Sequence, residues 1–595
     1  MAGQFFFVVG PSGAGKDSLI SGLRPQLDSA VFVFARRVIT RTAQVEAEDH
    51  DSCTEAEFLQ REQEGQFLIT WQAHGLRYGL PASLRDELDR GVHVVANGSR
   101  QMIQALQSRV PSLRVIEVTA PVSVLRERLQ GRQRESAPDI EARLQRAHLP
   151  LPDGVACHRV MNDLSLEIGI SRLKAALLHA LDSTPQPQRW LLQKVMGQAL
   201  SRDAYAQLLP AIIQGQLDLH DVQAFLVACT QSLSEDEVIA IAHARTLLYP
   251  RIDWHRPMVV DKHSMGGIPG SRVTMVVVPI VAAYGLLIPK TSSRAITSAA
   301  GTADAMEVLA RVDLDFDEVR RCVQRTNGCI AWNGKLNHSV LDEAMNAMVK
   351  PLGLDSRQWS VASILSKKFT AGATHVVIDI PYAEQGKVKN RSEALALAGL
   401  FERVGQAIGL VVKAFATDGG APIGQGIGPA LEVRDVLRVL DNHPDAPADL
   451  LNKALFFAGQ ILALDPQIGD PSAGECEARA LLASGAARQS LQAIVAAQGP
   501  MPARHDTVQQ RAVRATAAGV VHKIHGDVVS QLARTAGAPR MALAGVDLKK
   551  RVGDAVAEGD LLYVIQSTDA QALDRAHQQA CGQPAYEITA AAQGA

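Results

Sequence analysis

Residues 5–19 read FFFVVGPSGAGKDSL and set the architecture expected of the N-terminal third of this chain. The five apolar residues at the start predict a buried strand. The glycines that follow have the spacing G-x-x-x-x-G-K from Gly10 to Lys16, which predicts a tight turn into a helix. In that context backbone N–H groups and the positive end of the helix surround phosphate oxygens, so the stretch predicts a phosphate-binding loop.

We interpret this loop as an ATP site in which Lys16 bridges the outer phosphates and acts in catalysis. Asp17 stands where such loops usually carry a Ser or Thr that contacts magnesium, and Ser18 follows it. Since a carboxylate also binds Mg²⁺, directly or through water, we expect the ion at Asp17 or Ser18. The residues assigned to ATP are Gly10, Pro11, Ser12, Gly13, Ala14, Gly15, Lys16, Asp17 and Ser18.

Basic residues downstream of the loop are candidates for binding a phosphorylated acceptor, because a guanidinium matches phosphate oxygens. The acceptor candidates are Arg36, Arg37 and Arg41 in RRVITR, with Tyr78 in WQAHGLRYGLP. The lid candidates are Arg128, Arg132 and Arg134, in or after a predicted helix, where a lid would close on the transferred phosphoryl group. A solvated basic helix end would have the same pattern, and the acidic EAEDHD at 46–51 is equally typical of a solvated loop.

The composition excludes several kinds of partner. Sixty basic residues nearly cancel sixty-two acidic ones in the 595-residue chain, so no global charge points to nucleic acid or an anionic membrane. Seven cysteines without a C-x-x-C pair favour a reducing, cytoplasmic location. The longest apolar run, 273–289, is short for a membrane span and contains Pro279 and Pro289.

A second anion-binding pattern lies in the middle of the chain, in KHSMGGIPGSRVT (262–274) and KTSSRAITSAAGTADAMEVL (290–309). Hydroxyl residues alternate with glycines there, while Lys262, Lys290 and Arg294 supply positive charge. Many neutral donors and a few cations around one pocket suit a free oxyanion. Helix caps and tight turns use the same residue types, which is the alternative interpretation.

The N-terminal motifs resemble a known kinase family. GPSGAGKDSL, RRVITR, WQAHGLRYGLP and VANGSR together look like ribose 1,5-bisphosphate phosphokinase, a relative of guanylate kinase, over about residues 4–180. The resemblance implies ribose 1,5-bisphosphate as the acceptor and 5-phosphoribosyl 1-diphosphate as the product. Guanylate kinases carry Ser at the position of Asp17, so Asp17 favours the bisphosphokinase family over guanylate kinase activity.

The rest of the chain, about residues 190–567, resembles the thymidine phosphorylase and AMP phosphorylase superfamily. Further matching stretches are VASILSKKFTAG at 361–372 and GAPIGQGIGPALEVR at 420–434. The resemblance implies Asp355 as the proton donor, Lys262 as a catalytic residue and inorganic phosphate as a substrate. The phosphate or nucleotide ligands that it implies are Ser264, Gly267, Thr274, Ser292, Ser293, Arg294, Ala295, Ile296, Thr297, Ser298, Thr302, Ser363, Lys367 and Lys387.

The resemblance leaves the base and the sugar of the phosphorylase substrate open. Thymidine phosphorylases carry an arginine for the pyrimidine carbonyl on the helix before Asp355, and an ungapped count places Met348 there. KTSSRAITS is closer to the AMP phosphorylase branch. Either this branch applies, or an arginine enters the base pocket from elsewhere and the substrate is a pyrimidine nucleoside. His263, His375 and Asp379 are as typical of packed or capping residues as of site residues, so they are not assigned to the site. Core positions in a helix are expected for Cys322 and Cys329.

The sequence predicts a multidomain α/β protein. A P-loop kinase domain with a parallel sheet and helices spans 1–182, and the segment 183–189 in LDSTPQPQR is a linker. The nucleoside phosphorylase type of architecture follows: a helical domain at 190–255 with a later insertion near 340–368, a large α/β phosphate-binding domain at 256–503, and a small β-rich α+β domain at 504–595. The phosphorylase family also implies a homo-oligomer, most simply a dimer.

Together the two resemblances name one intermediate. A nucleoside 5'-monophosphate and phosphate give free base and ribose 1,5-bisphosphate, which is the acceptor expected for the kinase. The hypothesis is therefore a bifunctional enzyme with small-molecule substrates, ATP and Mg²⁺, and no nucleic acid or membrane partner. Two alternatives remain: the kinase fused to a thymidine or pyrimidine nucleoside phosphorylase, and the kinase fused to an inactive module that senses nucleotide.

Overall fold

The computed structural model describes most of the 595-residue chain and divides it into two compact units. The described residues are 3–40, 50–73, 75–131, 141, 144, 151–152, 155, 157–181, 185–295, 298–336, 340–384, 386–502 and 506–590. One unit comprises Met1–Ser234 with Glu343–Ser356, and the other comprises Glu235–Asp342 with Arg357–Ala595. A search of the described helices finds none long and apolar enough to cross a membrane.

The first unit begins with two sheets. Its strands are β1 (Phe5–Val9), β2 (Phe32–Phe34), β3 (Arg37–Ile39), β4 (His50–Ser52), β5 (Phe67–Ala73), β6 (Leu76–Pro81), β7 (His93–Asn97), β8 (Leu113–Thr119) and β9 (Cys157–Met161). The larger sheet has the order β2-β7-β1-β8-β9, with every neighbouring pair parallel. The smaller sheet has the order β4-β3-β6-β5.

Strand β1 is central because its side chains enter two cores. Phe6 and Val8 belong to one hydrophobic cluster, and Phe5, Phe7 and Val9 belong to another. Successive side chains of a strand point to opposite faces, so both faces of this sheet are covered. This confirms the buried strand predicted at FFFVV and the parallel α/β character of the N-terminal region.

Most helices of the first unit lie before residue 235. They are α1 (Lys16–Leu23), α2 (Glu55–Gln63), α3 (Leu84–Asp89), α4 (Ile103–Gln107), α5 (Val122–Gly131), α6 (Leu166–His179), α7 (Gln186–Val195), α8 (Arg202–Ile213) and α9 (Leu219–Gln231). Helix α7 occupies most of the segment 183–189 that the sequence suggested as a linker. Proline is tolerated at the first turn of a helix, where no intrahelical N–H partner is lost, and Pro187 lies there.

The second unit is built around parallel strands. Its strands are β10 (Val260–Ser264), β11 (Ile288–Ser292), β12 (Gly328–Trp332), β13 (His375–Tyr382), β14 (Val411–Asp418), β15 (Gly426–Ile427), β16 (Gln509–Arg514), β17 (Gly519–Ile524), β18 (Gly545–Leu548), β19 (Ala555–Val556), β20 (Leu561–Ser567) and β21 (Tyr586–Thr589). Strands β10, β13 and β14 form one parallel sheet, and β11 and β12 form another. A parallel bridge between Val259 and Leu287 connects the two sheets.

Helices cover these sheets. The helices from residue 235 onward are α10 (Glu235–Thr246), α11 (Val273–Tyr284), α12 (Thr302–Met306), α13 (Phe316–Thr326), α14 (Asn333–Leu336), α15 (Val340–Met348), α16 (Arg357–Thr370), α17 (Arg391–Ala407), α18 (Pro429–Leu440), α19 (Ala448–Leu462), α20 (Pro471–Ala483), α21 (Ala486–Gln498), α22 (Gly526–Thr535) and α23 (Ala570–Gly582). The apolar run considered as a membrane span contains α11, whose residues Val273 to Ala282 are all buried, most of them in the main core.

The C-terminal region is rich in antiparallel strands. Strands β15, β18, β20 and β16 form one sheet, and β19, β17 and β21 form the other. Helices α22 and α23 share a hydrophobic core with them. The short segment β15 comes from the α/β region, so this sheet uses residues from before the boundary expected at 504.

One secondary-structure prediction is wrong. Cys322 lies in helix α13 as expected, but Cys329 lies in strand β12. Asn327 adopts a left-handed conformation (φ 59°) that ends the helix, and the chain becomes extended at Gly328. Both cysteines are buried, so their expected place in the core is confirmed.

Candidate active sites

The glycine loop joins β1 to α1 and requires glycine at specific points. Gly10, Gly13 and Gly15 have φ of 150°, 87° and 85°, values that L side chains disfavour. A Cβ atom on Gly10 would lie 2.1 Å from the Val118 carbonyl oxygen. The chain can therefore pass close to β8 and turn into α1 only with glycine at position 10.

Lys16 folds back over the loop. Its Nζ donates to the carbonyl oxygens of Gly10 (2.9 Å) and Pro11 (3.0 Å). Asn162 Nδ2 donates to the Ala14 carbonyl oxygen (2.8 Å), and Arg128 Nη1 donates to the Asn162 carbonyl oxygen (3.0 Å). The predicted lid residue Arg128 is thus connected to the loop through one residue, Asn162. Arg132 and Arg134 lie outside the described residues.

Asp17 contacts residues of two strands of the first unit. Asn97 Nδ2 donates to its Oδ1, and Arg37 Nη2 lies 3.5 Å from the same oxygen. Arg37 begins β3 and Asn97 ends β7, so one carboxylate connects the glycine loop to two strands. The structure therefore brings together Asp17 and the predicted acceptor residue Arg37.

The other acceptor candidates have different surroundings. Arg36 pairs with Asp51 at 3.1 Å, and both side chains are about half exposed. The Tyr78 ring stacks on Trp71 with ring centres 5.4 Å apart. Arg41 lies outside the described residues.

In the second unit, both predicted anion-binding stretches follow the carboxyl ends of parallel strands. Strand β10 ends at Ser264 and β11 ends at Ser292. Ligands of parallel α/β sheets bind outside the carboxyl ends of the strands. The topology thus agrees with the position expected for a ligand site.

Asp379 is the centre of this site and is fully buried. Its Oδ2 accepts from Ser264 Oγ at 3.0 Å and lies 3.3 Å from Lys453 Nζ and 3.9 Å from Lys262 Nζ. Its Oδ1 accepts from Thr417 Oγ1 at 2.6 Å. A carboxylate with this many donors positions them, so Asp379 does more than the packing or capping role that the sequence left open.

Lys262 is buried and its protonation is sensitive to the surroundings. Burial lowers the pKa of Lys262 to about 8, with Asp379 opposing the shift and Lys453 and Arg272 adding to it. His263 lies beside it, and burial together with Lys368 and Lys290 holds the pKa of His263 well below its ordinary value. His263 is therefore neutral near pH 7, whereas Lys262 still carries positive charge there.

Lys290 belongs to a separate buried group. Its Nζ donates to the Thr291 carbonyl oxygen and lies 4.0 Å from Asp261, which also pairs with Lys368 at 2.7 Å. Burial and the charge of Lys368 lower the pKa of Lys290 well below its ordinary value. The described contacts of the Lys290 amine are with groups inside the protein, and the expectation that it supplies charge to an oxyanion stays a prediction.

The segment after β11 is held by acidic residues. Arg294 pairs with Glu307 at 2.5 Å and with Asp304 at 3.4 Å, and it lies over the Trp332 ring. Asp304 Oδ2 accepts from the backbone N–H groups of Ala295 (2.7 Å) and Gly301 (2.8 Å). These contacts hold Ala295 and Gly301, which lie near Ser293 and Ser298 in the chain, while Ile296 and Thr297 lie outside the described residues.

Thr302 begins helix α12 and receives a hydrogen bond from Arg272 Nη1 at 3.2 Å. Arg272 also pairs with Glu432 at 2.5 Å, where burial raises the pKa of the carboxyl to about 7. Thr274 is buried in α11. Arg272 was missed by the sequence reasoning, although it lies inside the quoted stretch KHSMGGIPGSRVT.

Lys387 and Gly267, two of the predicted nucleotide contacts, lie close together. Lys387 Nζ donates to the Met265 carbonyl oxygen at 3.1 Å. A Cβ atom on Gly267 would lie 3.9 Å from Lys387 Cγ, and Gly267 has φ of 98°. The structure therefore brings these two predicted nucleotide contacts to one point after β10.

A further polar group surrounds Ser363 on α16. Asp342 Oδ2 accepts from Ser363 Oγ at 2.8 Å and pairs with Lys367 at 2.5 Å and with Arg245 at 2.9 Å. Burial alone would raise the pKa of Asp342, but Arg245 and Lys367 outweigh it and hold that pKa well below its ordinary value. Arg245 and Asp342 were not anticipated as site residues.

Comparison with known proteins identifies relatives along almost the whole chain. A bifunctional ribose 1,5-bisphosphokinase-thymidine phosphorylase of Cupriavidus pinatubonensis is 56% identical over 96% of this chain and 95% of its own length. The protein of the same name from Cupriavidus necator is 55% identical over 96% of each chain. The family model for the glycosyl transferase family, a/b domain, matches residues 256–488.

The chain belongs to this bifunctional kinase and phosphorylase family. The two family resemblances seen in the sequence are therefore confirmed, as is the prediction of an enzyme. A solved structure, anthranilate phosphoribosyltransferase from Thermus thermophilus, aligns with 52% of this chain and 99% of its own at a TM-score of 0.44 and 18% identity.

Within this bifunctional family member, Asp355 occupies an exposed position just before helix α16. Its Oδ1 accepts from the backbone N–H of Ser356 at 2.9 Å, and Ser356 Oγ donates to the Cys229 carbonyl oxygen. An N-cap side chain accepts from the second or third N–H of the helix, so this bond to the adjacent residue is not the capping contact that the sequence offered as an alternative. An exposed carboxyl is also accessible to a substrate, so its proposed role as proton donor remains a prediction.

Proposed function

We propose that the chain converts a nucleoside 5'-monophosphate and phosphate into free base and ribose 1,5-bisphosphate, and then phosphorylates that product with ATP to 5-phosphoribosyl 1-diphosphate. The observation that carries the proposal is the pairing of Lys262 and Ser264 around Asp379, at the carboxyl end of β10. This arrangement gives an inorganic anion a cation, and a hydroxyl that can donate to the anion when its hydrogen turns away from Asp379.

In the first reaction, phosphate oxygen attacks the anomeric carbon as the glycosidic bond breaks. Lys262 attracts the phosphate, and Ser264 donates to it when its hydroxyl hydrogen turns from Asp379 to the anion. Asp379 fixes both side chains before the phosphate binds, which lowers the entropic cost of the attack. The electron pair of the broken bond leaves with the base, which takes a proton from Asp355. Thr302, fixed by Arg272, offers a further donor to the same anion.

In the second reaction, an oxygen of the acceptor's 1-phosphate attacks the γ-phosphorus of ATP and ADP leaves. The loop N–H groups and Lys16 hold the ATP phosphates, and Arg37 and Arg128 supply positive charge on the two sides of the loop. Asp17 and Ser18 would hold Mg²⁺, and the ion would neutralise part of the charge on the ATP phosphates. Asp17 and Ser18 fit such a site, since they provide a carboxylate and a hydroxyl at the start of α1.

A second candidate function has specific support. The Cupriavidus relatives are named as thymidine phosphorylases in their second activity. If this chain acts on unphosphorylated nucleosides, its sugar product lacks the 5-phosphate that the kinase acceptor needs. The two activities would then share no intermediate. We therefore rank the nucleoside 5'-monophosphate ahead of the unphosphorylated nucleoside as the substrate of the phosphorolysis reaction.

Product analysis separates these candidates. The purified chain would be incubated with phosphate and each nucleoside monophosphate, with and without ATP and Mg²⁺, and the products resolved by anion-exchange chromatography. We expect base and ribose 1,5-bisphosphate without ATP, and 5-phosphoribosyl 1-diphosphate with ATP. Base release only from thymidine or uridine would establish the second candidate instead. No base release from any substrate would support the alternative in which the kinase is fused to an inactive module that senses nucleotide.

Two variants test the assignment of sites in the same assay. Lys16→Ala should abolish the ATP-dependent step and leave base release unchanged. Asp355→Asn should abolish base release and leave phosphorylation of added ribose 1,5-bisphosphate unchanged. Phosphorylation of GMP by the wild type would instead indicate guanylate kinase activity.

A further inference from the structure

Arg272 lies at the start of helix α11, after the loop that follows strand β10, and is 8% exposed. Its Nη1 donates to Thr302 Oγ1 at 3.2 Å, and its Nε lies 2.5 Å from Glu432 Oε2. Among the residues that the structure describes, none accepts a hydrogen bond from the third nitrogen, Nη2. The guanidinium is planar, so Nη2 lies in the plane fixed by the two held nitrogens and is left for a ligand.

The hydroxyl of Thr302 also keeps a hydrogen for another acceptor. An arginine side chain carries donors only, so Thr302 Oγ1 accepts in its bond with Arg272. The hydrogen on Thr302 therefore points elsewhere. Ser264 differs, because its hydroxyl donates to Asp379. Thr302 and Arg272 thus offer two neighbouring donors.

The surroundings of these donors favour an anion. Helix α11 begins at Val273, and the first N–H groups of a helix have no partner inside the helix and form its positive end. Thr274, in the first turn, adds a hydroxyl. Burial is the main cause of the lowered pKa of Lys262, and the charge of Arg272 adds to that shift. The two cations therefore lie close enough to act on one anion.

Glu432 on α18 holds the arginine in place. The residue is 1% exposed, and its Oε1 accepts from the backbone N–H of Gly428 at 3.0 Å while Oε2 lies beside Arg272. A buried ion pair often gives no more stability than apolar residues of the same volume. A guanidinium held on one side by a carboxylate and on another by a hydroxyl is, however, oriented in advance for a phosphate.

We propose that Arg272 binds the attacking phosphate directly, together with Thr302, and that Glu432 is the positioning residue for this arginine. Nη2 donates to one phosphate oxygen, and the Thr302 hydroxyl donates to the same oxygen or to its neighbour. The inference rests on the proposed function and deepens it, because it adds a charged ligand to the phosphate of the phosphorolysis reaction.

Calorimetric titration with inorganic phosphate alone tests the inference without a nucleoside and without turnover. The full-length chain would carry Lys16→Ala, because the glycine loop is a second place where phosphate is expected to bind. We expect this parent to bind phosphate, and Arg272→Met to weaken the binding roughly ten- to hundredfold, the range of one charge-assisted hydrogen bond. Arg488→Met is the matched control: it removes an ion pair with Asp441, just after α18, and should leave phosphate affinity unchanged.

A double variant separates phosphate binding from folding. Arg272→Met alone leaves the Glu432 carboxylate buried without its counter-charge, which destabilises a protein. Arg272→Met combined with Glu432→Gln removes both charges, so no unpaired ion is left. If Arg272 served only to balance Glu432, this double variant would regain the phosphate affinity of the parent. We expect it to stay about tenfold weaker or more, and Glu432→Gln alone, which keeps the arginine but loses its anchor, to be intermediate.

Thr302→Val separates a direct contact of Arg272 from mere support of Thr302. Valine keeps the volume and removes the hydroxyl. If Arg272 acted only through Thr302, adding Arg272→Met to Thr302→Val would cause no further loss of phosphate affinity. We expect a further loss of roughly tenfold.

Two results would overturn the inference and leave the proposed function standing: parental phosphate affinity in the folded double variant, or no further loss in the Thr302→Val background. Phosphate binding that depends on Arg272, without release of base from any monophosphate, would refute the proposed monophosphate substrate and leave the inference intact. A parent that binds no phosphate would overturn both.

Discussion

At the scale of single residues, the chemistry of the second unit depends on side chains whose pKa values are shifted by burial. Lys262 differs most from an ordinary lysine, because its ammonium is fully buried beside Asp379. Its pKa of about 8 lies below the ordinary 10.5. The side chain is therefore mostly cationic at neutral pH and loses its proton within the range in which an enzyme can be assayed.

This shift predicts a pH dependence for phosphate. Below about pH 8 Lys262 is an ammonium ion and attracts the anion, and above that pH it becomes a neutral amine. We expect the KM for phosphate in the phosphorolysis reaction to rise by up to about tenfold per pH unit above that value. Steady-state assays from about pH 7 to about pH 10 would measure it.

Lys262→Arg provides the comparison, since arginine keeps its charge throughout that range. Its KM for phosphate should vary little with pH, even if the absolute value is higher. A wild-type KM that stays constant to about pH 10 would contradict the assignment of Lys262 to the phosphate.

At the scale of elements, the turn between β1 and α1 is the most constrained segment of the first unit. Gly10 combines φ of 150° with a backbone carbonyl 2.1 Å from the position of a Cβ atom. A backbone neighbour cannot rotate away as a flexible side chain can. The loop therefore depends on glycine for space as well as for conformation.

Gly10→Ala should consequently disrupt the loop. We expect a loss of about 2 kcal/mol or more in unfolding free energy, typical of overpacking, and loss of ATP binding. Gly65→Ala is the matched control: Gly65 also has positive φ, at 70°, but a Cβ atom there meets nothing within 4 Å. It should cost only about 1 kcal/mol and leave ATP binding intact.

Thermal denaturation and titration with a fluorescent ATP analogue would measure both effects. Equal behaviour of the two alanine variants would show that the close approach of β8 is unimportant.

At the scale of the whole molecule, the kinase-like segment and the first helices after it belong to one compact unit. Helix α6 packs on α7 and α9, and Lys174 pairs with the buried Asp221 at 3.2 Å. Arg172 on α6 also donates to Gln231 Oε1 at 2.6 Å. A free kinase domain on a flexible linker, which the proline and glutamine residues suggested, would lack these contacts.

Asp221→Asn tests this coupling. Removing the carboxylate leaves the Lys174 ammonium partly buried without its counter-charge, so we expect a loss of about 3 kcal/mol from the first unit. The kinase activity should then be lost at a lower temperature, although Asp221 lies far along the chain from the ATP loop. Asp574→Asn removes an exposed partner of Arg511 and should change the inactivation temperature very little.

Residual kinase activity after heating would be measured for both variants. An unchanged inactivation temperature in Asp221→Asn would indicate that the kinase-like segment is stable without the helices after it.

Much of the fold follows from local sequence. FFFVV, THVVIDIP and LVVKAFATD are short apolar runs bounded by turn residues, and each forms a parallel strand. The glycine spacing after β1 predicted the turn, because only glycine adopts those backbone angles freely. Cys329 was misplaced because a helical pattern continued through Asn327, whose left-handed conformation could not be anticipated from its neighbours.

The sequence by itself determined the residue types in the two stretches predicted to bind anions, and the family, since these depend on residues close together in the chain. Other contacts were decided by the tertiary structure alone. Ser264 on β10 donates to Asp379 on the neighbouring strand β13, and the buried Lys290 amine donates to a backbone carbonyl. Arg245 on α10 donates to Ser363 on α16. The physical reason is that burial and hydrogen bonding between distant segments set the charge and orientation of a side chain. A local sequence pattern does not show which distant residues these partners are.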